Sequence, residues 1–151
     1  MDEEYDASVD EEVDRMLERS RAPRALTAEA LRSSLDDLDM SAPIVLSLES
    51  TVREAVDQMK AGHHSAVVVV NDAGKLAGIF TERDVIKRVI DPQRDWRALK
   101  ISEFMTPTPE CLQEHEPIFM VLNLMHNGGY RHVPVVDAAG KPVGIVAVTD
   151  V

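Results

Sequence analysis

Cysteine is nearly absent from this chain of 151 residues, which contains only Cys111. A lone cysteine excludes an internal disulfide and is typical of a reducing compartment, so we expect a cytoplasmic protein. Aromatic residues are also scarce, at 4%. No apolar run approaches the length of about 20 residues that a membrane-spanning helix needs, and the first residues are acidic rather than basic. We therefore expect neither secretion nor membrane insertion.

Positive charge is in short supply. The chain has 16 Lys and Arg residues against 27 Asp and Glu, a net charge of −11, and much of the excess lies in residues 1–20. An acidic protein repels the phosphate backbone, so a nucleic-acid partner is not expected. The hydrophobic fraction of 44% and the chain length fit one compact globular domain with its own core.

Motifs of known catalytic or metal-binding chemistry are also missing. His115-Glu116 lacks the second His of a zinc-protease helix, because Phe119 stands in that place. The sequence has no phosphate loop, no nucleophile elbow and no CxxC pair. His63-His64 has no carboxylate at ligand spacing and indicates a surface turn rather than a metal site. We expect no catalytic residues, no metal and no required cofactor, and an enzyme of unrecognised chemistry is the least favoured interpretation.

A phrase that begins with glycine and ends in Asp-Val occurs twice, at residues 78–85 and 144–151. Its two aspartates, Asp84 and Asp150, are 66 residues apart. The same offset aligns further pairs, namely 67–70 with 133–136, 71–75 with 137–141, and Met59 with Met125. Similarity at a fixed spacing indicates two tandem copies of one supersecondary unit.

Each copy is predicted to form a strand, a helix, two strands and a second helix. In the first copy, residues 44–46 form a strand, and Ser50 caps a helix that Gly62 ends. Residues 67–70 indicate a fully buried strand that turns back into an antiparallel strand at 76–80. A closing helix follows and ends before proline, with the members Val85, Ile86, Val89, Ile90 and the terminating pair Asp91-Pro92.

The second copy repeats this order with small changes. Pro117 is predicted in the first helical turn, where proline is tolerated, and the buried face of that helix comprises Ile118, Val121, Leu122 and Met125. The given sequence ends at Val151, the counterpart of Val85, so it lacks a second closing helix. The predicted division is an acidic, partly disordered and partly helical leader at 1–25, a first repeat with a leading helix at 26–91, a linker at 92–99, and a second repeat without its closing helix at 100–151.

Two helices are predicted before the first repeat. Ser8 and Glu11 form a capping box that begins a short amphipathic helix, for which a partly solvated position is favoured over partner binding. Thr27 caps the second helix, whose apolar stripe is Leu26, Ala30, Leu31, Leu35 and Leu38. We expect this second helix to cover the apolar surface that a missing closing helix would leave on the second repeat.

Over about residues 40–151, the chain resembles a tandem pair of CBS domains, named after cystathionine β-synthase and also called a Bateman module. The similarity is to small stand-alone proteins of the bacterial type. The segments that carry it are Asp39-Met40-Ser41-Ala42-Pro43, Phe104-Met105-Thr106-Pro107, residues 130–137 and the two glycine-to-aspartate phrases. The resemblance implies an α+β fold in which two βαββα units pack about a pseudo-twofold axis, with N-terminal helices and with two clefts between the units.

The resemblance also implies ligands that contain adenosine, of the AMP, ADP and ATP class or S-adenosylmethionine, in these clefts. It assigns the ribose hydroxyls to Asp84 and Asp150, and it assigns ribose or phosphate to Thr81. An ionised carboxylate suits a cis-diol because it accepts two hydrogen bonds. A helix N-terminus at Thr81 favours a phosphate. Thr81-x-x-Asp84 is also the pattern of a capping box, which needs no ligand, and both roles can coexist.

Two unequal sites follow if the clefts are reciprocal. The first combines Thr81 and Asp84 with Thr106, Thr108 and Pro109 of the second repeat. The second combines Asp150, Arg131 and His132 with Ser41 and Ile44 of the first repeat. Ala147 stands where the first copy has Thr81, so we expect the first site to be intact and the second to be weaker. For His132, a phosphate contact and a solvent-facing position at a strand edge remain equally open.

The implied function is that of a regulatory module that binds a small adenosyl ligand. The alternative is a ligand-free interaction module. Because the helix faces of CBS pairs often assemble two modules into a disc, the resemblance also implies a homodimer that forms through those helices.

Overall fold

The computed structural model describes residues 27–38, 40, 42–90 and 93–148. The helix predicted at Ser8 and the rest of the leader lie outside these residues. In chain order the elements are α1 (Ala28–Arg32), a 3-10 turn (Leu35–Asp37), β1 (Val45–Ser47), α2 (Val52–Gly62), β2 (Ala66–Val70), β3 (Leu76–Thr81), α3 (Glu82–Asp84) continued by a π-helix (Val85–Val89), 3-10 turns (Trp96–Ala98, Ile101–Glu103), β4 (Thr106–Pro107), β5 (Leu112–Gln113), α4 (Ile118–Gly128), β6 (His132–Val136) and β7 (Pro142–Ala147).

The first sheet has the order β1-β2-β3-β4. β2 is parallel to β1 and antiparallel to β3, with Val67 opposite Phe80. Val67, Val68 and Val69 are all fully buried, which confirms the prediction of a strand buried on both faces. Helix α2 covers this sheet with Val52, Ala55 and Met59. One core therefore lies between α2 and this sheet, and Ile101 from the start of the second repeat is among its buried members.

The cap of α2 differs from the prediction by one residue. Thr51, not Ser50, is the N-cap, and its hydroxyl accepts a hydrogen bond of 3.2 Å from Glu54 N. Glu54 Oε2 in turn accepts from Thr51 N at 3.2 Å. The capping box needs its glutamate three residues after the cap, and this spacing selects Thr51. Ser50 instead accepts a hydrogen bond from Ser47 N.

The second sheet has the order β5-β6-β7, with a parallel and then an antiparallel pair that repeat the arrangement of β1, β2 and β3. Pro117 is the N-cap of α4 rather than a residue of its first turn. The reason is a contact with the leading segment. Pro117 forms an antiparallel β-bridge with Ser34, and Ile118 N donates to Ser33 O at 2.9 Å. Ile118 and Val121 are buried, as predicted for this helix.

The leading segment is shorter and more bent than predicted. Thr27 caps α1 through a bond of 3.1 Å from Ala30 N, but the helix ends after five residues. The chain then turns so that Leu35, with no exposed surface, enters the core of the second repeat. Leu35 N also donates to Glu116 O at 2.9 Å. The segment thus packs on the second repeat, as expected for a cover, although the sequence division grouped it with the first.

The closing helix of the first repeat also departs from a regular helix. One α turn leads into a π-helix that ends at Val89, and Ile90 lies just beyond it. Val89 is buried in the first core, while the side chains of Ile86 and Ile90 are 70% and 59% exposed. The closing helix therefore has one apolar side toward the core and a second that faces outward.

The two repeats meet through equivalent parts. Leu76 N, after the first hairpin turn, donates to Gly140 O of the second turn at 3.0 Å. Lys141 lies over Gly74, and Lys75 lies over Gly140 in return. Reciprocal contacts of this kind are the signature of a twofold relation. No helix within the described ranges is long and apolar enough to cross a bilayer.

Candidate functional site

The glycine-to-aspartate phrase of the first repeat places a carboxylate at the end of β3. Asp84 is 9% exposed and is the buried charged residue among those described. Its Oδ2 accepts two hydrogen bonds from Thr81, one of 2.9 Å from the backbone N–H and one of 3.1 Å from the hydroxyl. Asp84 N donates back to Thr81 Oγ1 at 3.3 Å. The capping box predicted from the spacing is therefore present.

This box determines which atoms remain for a ligand. A carboxylate oxygen has about two acceptor positions, and Thr81 occupies both on Oδ2, so Oδ1 is the oxygen left for a ribose hydroxyl. The Thr81 hydroxyl already donates its proton to Asp84. Glu82 N is engaged as well, because it donates to Ser65 O at 3.0 Å. A phosphate predicted near Thr81 would consequently need other donors.

The cation beside Asp84 is Arg88, which the sequence interpretation missed. Arg88 Nε lies 3.6 Å from Asp84 Oδ1. Its Nη1 also donates to Phe104 O at 3.3 Å, and Phe104 belongs to the opening segment of the second repeat. The signal was available, since an aspartate four residues before an arginine on a helix predicts an ion pair.

The opening segment of the second repeat forms the other wall of this site. β4 adds to the first sheet, with Thr106 opposite Ile79, and Thr108 N donates to Ala77 O at 3.0 Å. Thr106 therefore lies on β4 and Thr108 just after it. Because β4 is antiparallel to β3, the chain runs from Thr106 to Thr108 away from the end of β3 that carries Thr81. Half-buried Pro109 follows them.

Thr108 has a backbone φ of 45°, which is rare for a β-branched residue. Such strain costs about 1–3 kcal/mol and persists only where surrounding contacts fix it. The hydrogen bond from Thr108 N to Ala77 O is one such contact. The backbone at this wall is therefore held in a specific shape.

The second predicted site is described only in part, because Ser41 and Asp150 lie outside the described residues. His132 Nε2 lies 2.8 Å from Ser65 Oγ of the first repeat, and the histidine is half-buried. Arg131, one residue earlier, is exposed. A solvent-facing position for His132 was therefore wrong, because this side chain joins the two repeats. No pattern in the sequence pointed to its partner Ser65.

Two further predicted residues complete the description of this site. His132 pairs across β6 and β7 with Ala147, as Ala66 pairs with Thr81 in the first repeat. Ile44 packs against the first core, and its carbonyl accepts from Val68 N at 2.9 Å. The second repeat thus has no hydroxyl where the first has Thr81.

The single thiol is poorly suited to nucleophilic chemistry. Burial, followed by the negative charges of Glu110 and Glu116, raises the pKa of Cys111. A higher pKa leaves less thiolate at neutral pH, and the thiolate is the reactive form. Among the described residues, no three His, Cys, Asp or Glu side chains are grouped so that they could hold a metal ion.

Comparison with known proteins identifies the repeated unit. The sequence model of the CBS domain matches residues 35–91 and 101–151, more than half of the chain. The chain therefore belongs to the CBS domain family and carries two tandem copies of the domain. This confirms both the resemblance and the α+β fold inferred from the sequence.

The chain is also similar in sequence to a curated archaeal protein. An uncharacterized 17.7 kDa protein of Acidianus ambivalens is 31% identical over 100 residues, which are 66% of this chain and 59% of that protein. The chain thus spans less than two thirds of this relative's length.

Two solved structures share the fold. A CBS domain pair in complex with 5′-methylthioadenosine and S-adenosyl-L-methionine is 28% identical, with a TM-score of 0.69 over 78% of this chain and 91% of that one. A CBS domain protein of Pyrobaculum aerophilum, complexed with AMP, is 20% identical, with a TM-score of 0.71 over 78% of this chain and 88% of that one. At this identity the second likeness concerns the fold alone.

Proposed function

We propose that this chain is a regulatory module that binds an adenosine-containing ligand in a cleft between the two repeats, at the end of β3 where Arg88 joins Asp84 to Phe104. The observation that carries the proposal is the buried carboxylate of Asp84, which keeps Oδ1 free of the capping box. The 28%-identical CBS pair that binds S-adenosyl-L-methionine and 5′-methylthioadenosine supports the ligand class.

The regulatory part of the proposal follows from where the two walls belong. β3 and Asp84 are part of the first repeat, whereas Phe104 and β4 lead into the second. A ligand that contacts both walls favours the relative arrangement of the repeats that it binds best, by its difference in affinity between arrangements. In this proposal the chain itself catalyses no reaction. Cytoplasmic location and the absence of a nucleic-acid partner remain predictions from cysteine content and charge.

Isothermal calorimetry with AMP, ATP and S-adenosylmethionine tests the proposed function. We expect micromolar binding of at least one of them, and a loss of about tenfold or more in affinity for Asp84→Ala, because hydrogen bonds to a charged group are strong. Asp72→Ala is the matched control, since Asp72 is an exposed carboxylate in the first hairpin turn. If folded wild-type protein gives no heat with any of the three ligands, the adenosyl function is wrong.

The second proposal is that the chain forms a homodimer. A homodimer is also what the alternative function, a ligand-free interaction module, requires. Ile86 and Ile90 expose 70% and 59% of their surface and stand four residues apart at the closing helix of the first repeat. Ile86 lies in the π-helix and Ile90 is its extended C-cap, so both exposed side chains lie at the end of the same short segment. Burying these two apolar side chains is favourable, because it removes apolar surface from water. The partner that covers them is a second copy of this chain, as the twofold assembly of CBS pairs implies.

Sedimentation equilibrium tests the dimer. We expect the wild-type chain to sediment as a dimer and Ile86→Lys/Ile90→Lys to sediment as a monomer, because the pair would place two charges in an apolar interface. Val148→Lys is the control, an apolar-to-charged change at a 43%-exposed residue beyond β7. An unchanged dimer in the double variant would exclude this face.

A further inference from the structure

Arg88 joins the two walls of the proposed cleft in a single side chain. One edge of its guanidinium faces Asp84 Oδ1 at 3.6 Å, and Nη1 donates to Phe104 O at 3.3 Å. Arg94 lies on the same wall, with its guanidinium carbon 5.9 Å from the centre of the Phe104 ring. In a chain with a net charge of −11, two arginines therefore meet at one residue of the cleft.

The position of Arg88 brings it into competition with a ribose. Thr81 uses the acceptor positions of Asp84 Oδ2, so a ribose hydroxyl must bond to Oδ1, the oxygen that Arg88 faces. The ion pair is easily broken, because the Arg88 side chain is 52% exposed and screened by water. A ribose diol that takes both acceptor positions of Oδ1 displaces the guanidinium. An uncharged ligand then offers the guanidinium no charged partner in return.

An anionic ligand offers Arg88 a replacement partner. The planar fork of arginine binds a phosphate through two parallel hydrogen bonds, which are stronger than its long contact with Asp84. The backbone and hydroxyl donors at Thr81 and Glu82 are already engaged, which leaves the phosphate to side chains such as this one. Arg88 therefore gains a stronger partner when a phosphorylated ligand binds, whereas it only loses its contact with Asp84 when an uncharged ligand binds.

We infer that Arg88 determines ligand specificity, so that the first cleft prefers phosphorylated adenosine to uncharged adenosyl ligands. This inference rests on the proposed function. Arg88 holds Asp84 Oδ1 and Phe104 O when no ligand is bound, and it turns to the phosphate when the ribose takes Oδ1.

Calorimetry with AMP and adenosine on the full chain tests this inference. Arg88→Gln is expected to weaken AMP by about tenfold or more, since a charge-assisted contact is lost. The affinity of this variant for adenosine should be unchanged or higher, since a competitor for Oδ1 is removed. Arg83→Gln is the matched control, because Arg83 is an exposed arginine next to Asp84, and both affinities should match the wild type.

The outcomes separate this inference from the proposed function. Equal weakening of both ligands, or unchanged AMP affinity, in Arg88→Gln would overturn the specificity role while leaving the adenosyl function intact. A wild-type chain that binds neither ligand overturns the proposed function and this inference together. Should Arg88→Gln fail to fold, Arg88→Lys replaces it: a lysine keeps the charge but cannot form the fork, and we then expect weaker AMP binding with adenosine unchanged.

Discussion

Leu35→Ala is expected to lower the free energy of unfolding by about 2–5 kcal/mol, the range for removing a fully buried leucine side chain. Leu35 has no exposed surface and packs with Leu112, Val121 and Val133 in the core of the second repeat. The loss is large for a residue at the N-terminal edge of the first repeat. Urea unfolding followed by circular dichroism measures it as a lower midpoint with an unchanged slope.

The exposed Arg32 in the same segment provides the control. Arg32→Ala removes a side chain at the end of α1 and should change stability by less than about 0.5 kcal/mol. Equal, small effects of both substitutions would show that the leading segment is not part of the second core. A large effect of Leu35→Ala alone establishes that the core of the second repeat depends on the leading segment of the first.

The hairpins were predictable because their information is local. The Val67–Val70 run, the turn at 71–74 and the returning strand are neighbours in sequence, and the repeat at an offset of 66 residues supplied a second copy to compare. Buried β-branched runs separated by a turn determine such a unit without distant contacts. The capping box of Thr81 and Asp84 was readable for the same reason.

Contacts between repeats could not be predicted, because a repeat aligns equivalent residues but does not say which of them touch. Ser65 binds His132, which the alignment matches to Ala66. Leu35 joins a core whose other fully or nearly fully buried members are at least 77 residues away, since the nearest of them is Leu112 (112 − 35 = 77). The contact of Arg88 with Phe104 O likewise depends on how the linker packs. Of the predicted second-site residues that the structure describes, His132 lies at such a junction.

The glycine at the start of each phrase has a structural reason that leads to the second prediction. A Cβ on Gly78 would lie 2.3 Å from Met105 Sδ and 3.0 Å from Met105 Cγ. Gly144 has the equivalent neighbour, Met40, whose Sδ would be 3.0 Å away. The segment that opens the opposite repeat thus places a methionine directly over each glycine. A side chain at either glycine forces that methionine out of its position.

Gly78→Ala is therefore expected to destabilise the chain by about 1–3 kcal/mol, the usual cost of overpacking a filled site. Met105 packs against the first core, so its displacement also loses contacts there. Gly144→Ala should cost less, because its overlap is shallower.

Met105→Ala distinguishes a clash from a general effect of alanine in β3. In the double variant Gly78→Ala/Met105→Ala the new methyl group finds space, so the combined loss should fall short of the sum of the two single losses by about 1 kcal/mol or more. Additive losses would mean that Met105 does not oppose residue 78. Since Met105 lies between Phe104 and Thr106, the rescue also reports whether the second repeat's opening segment closes on β3, which the proposed cleft requires.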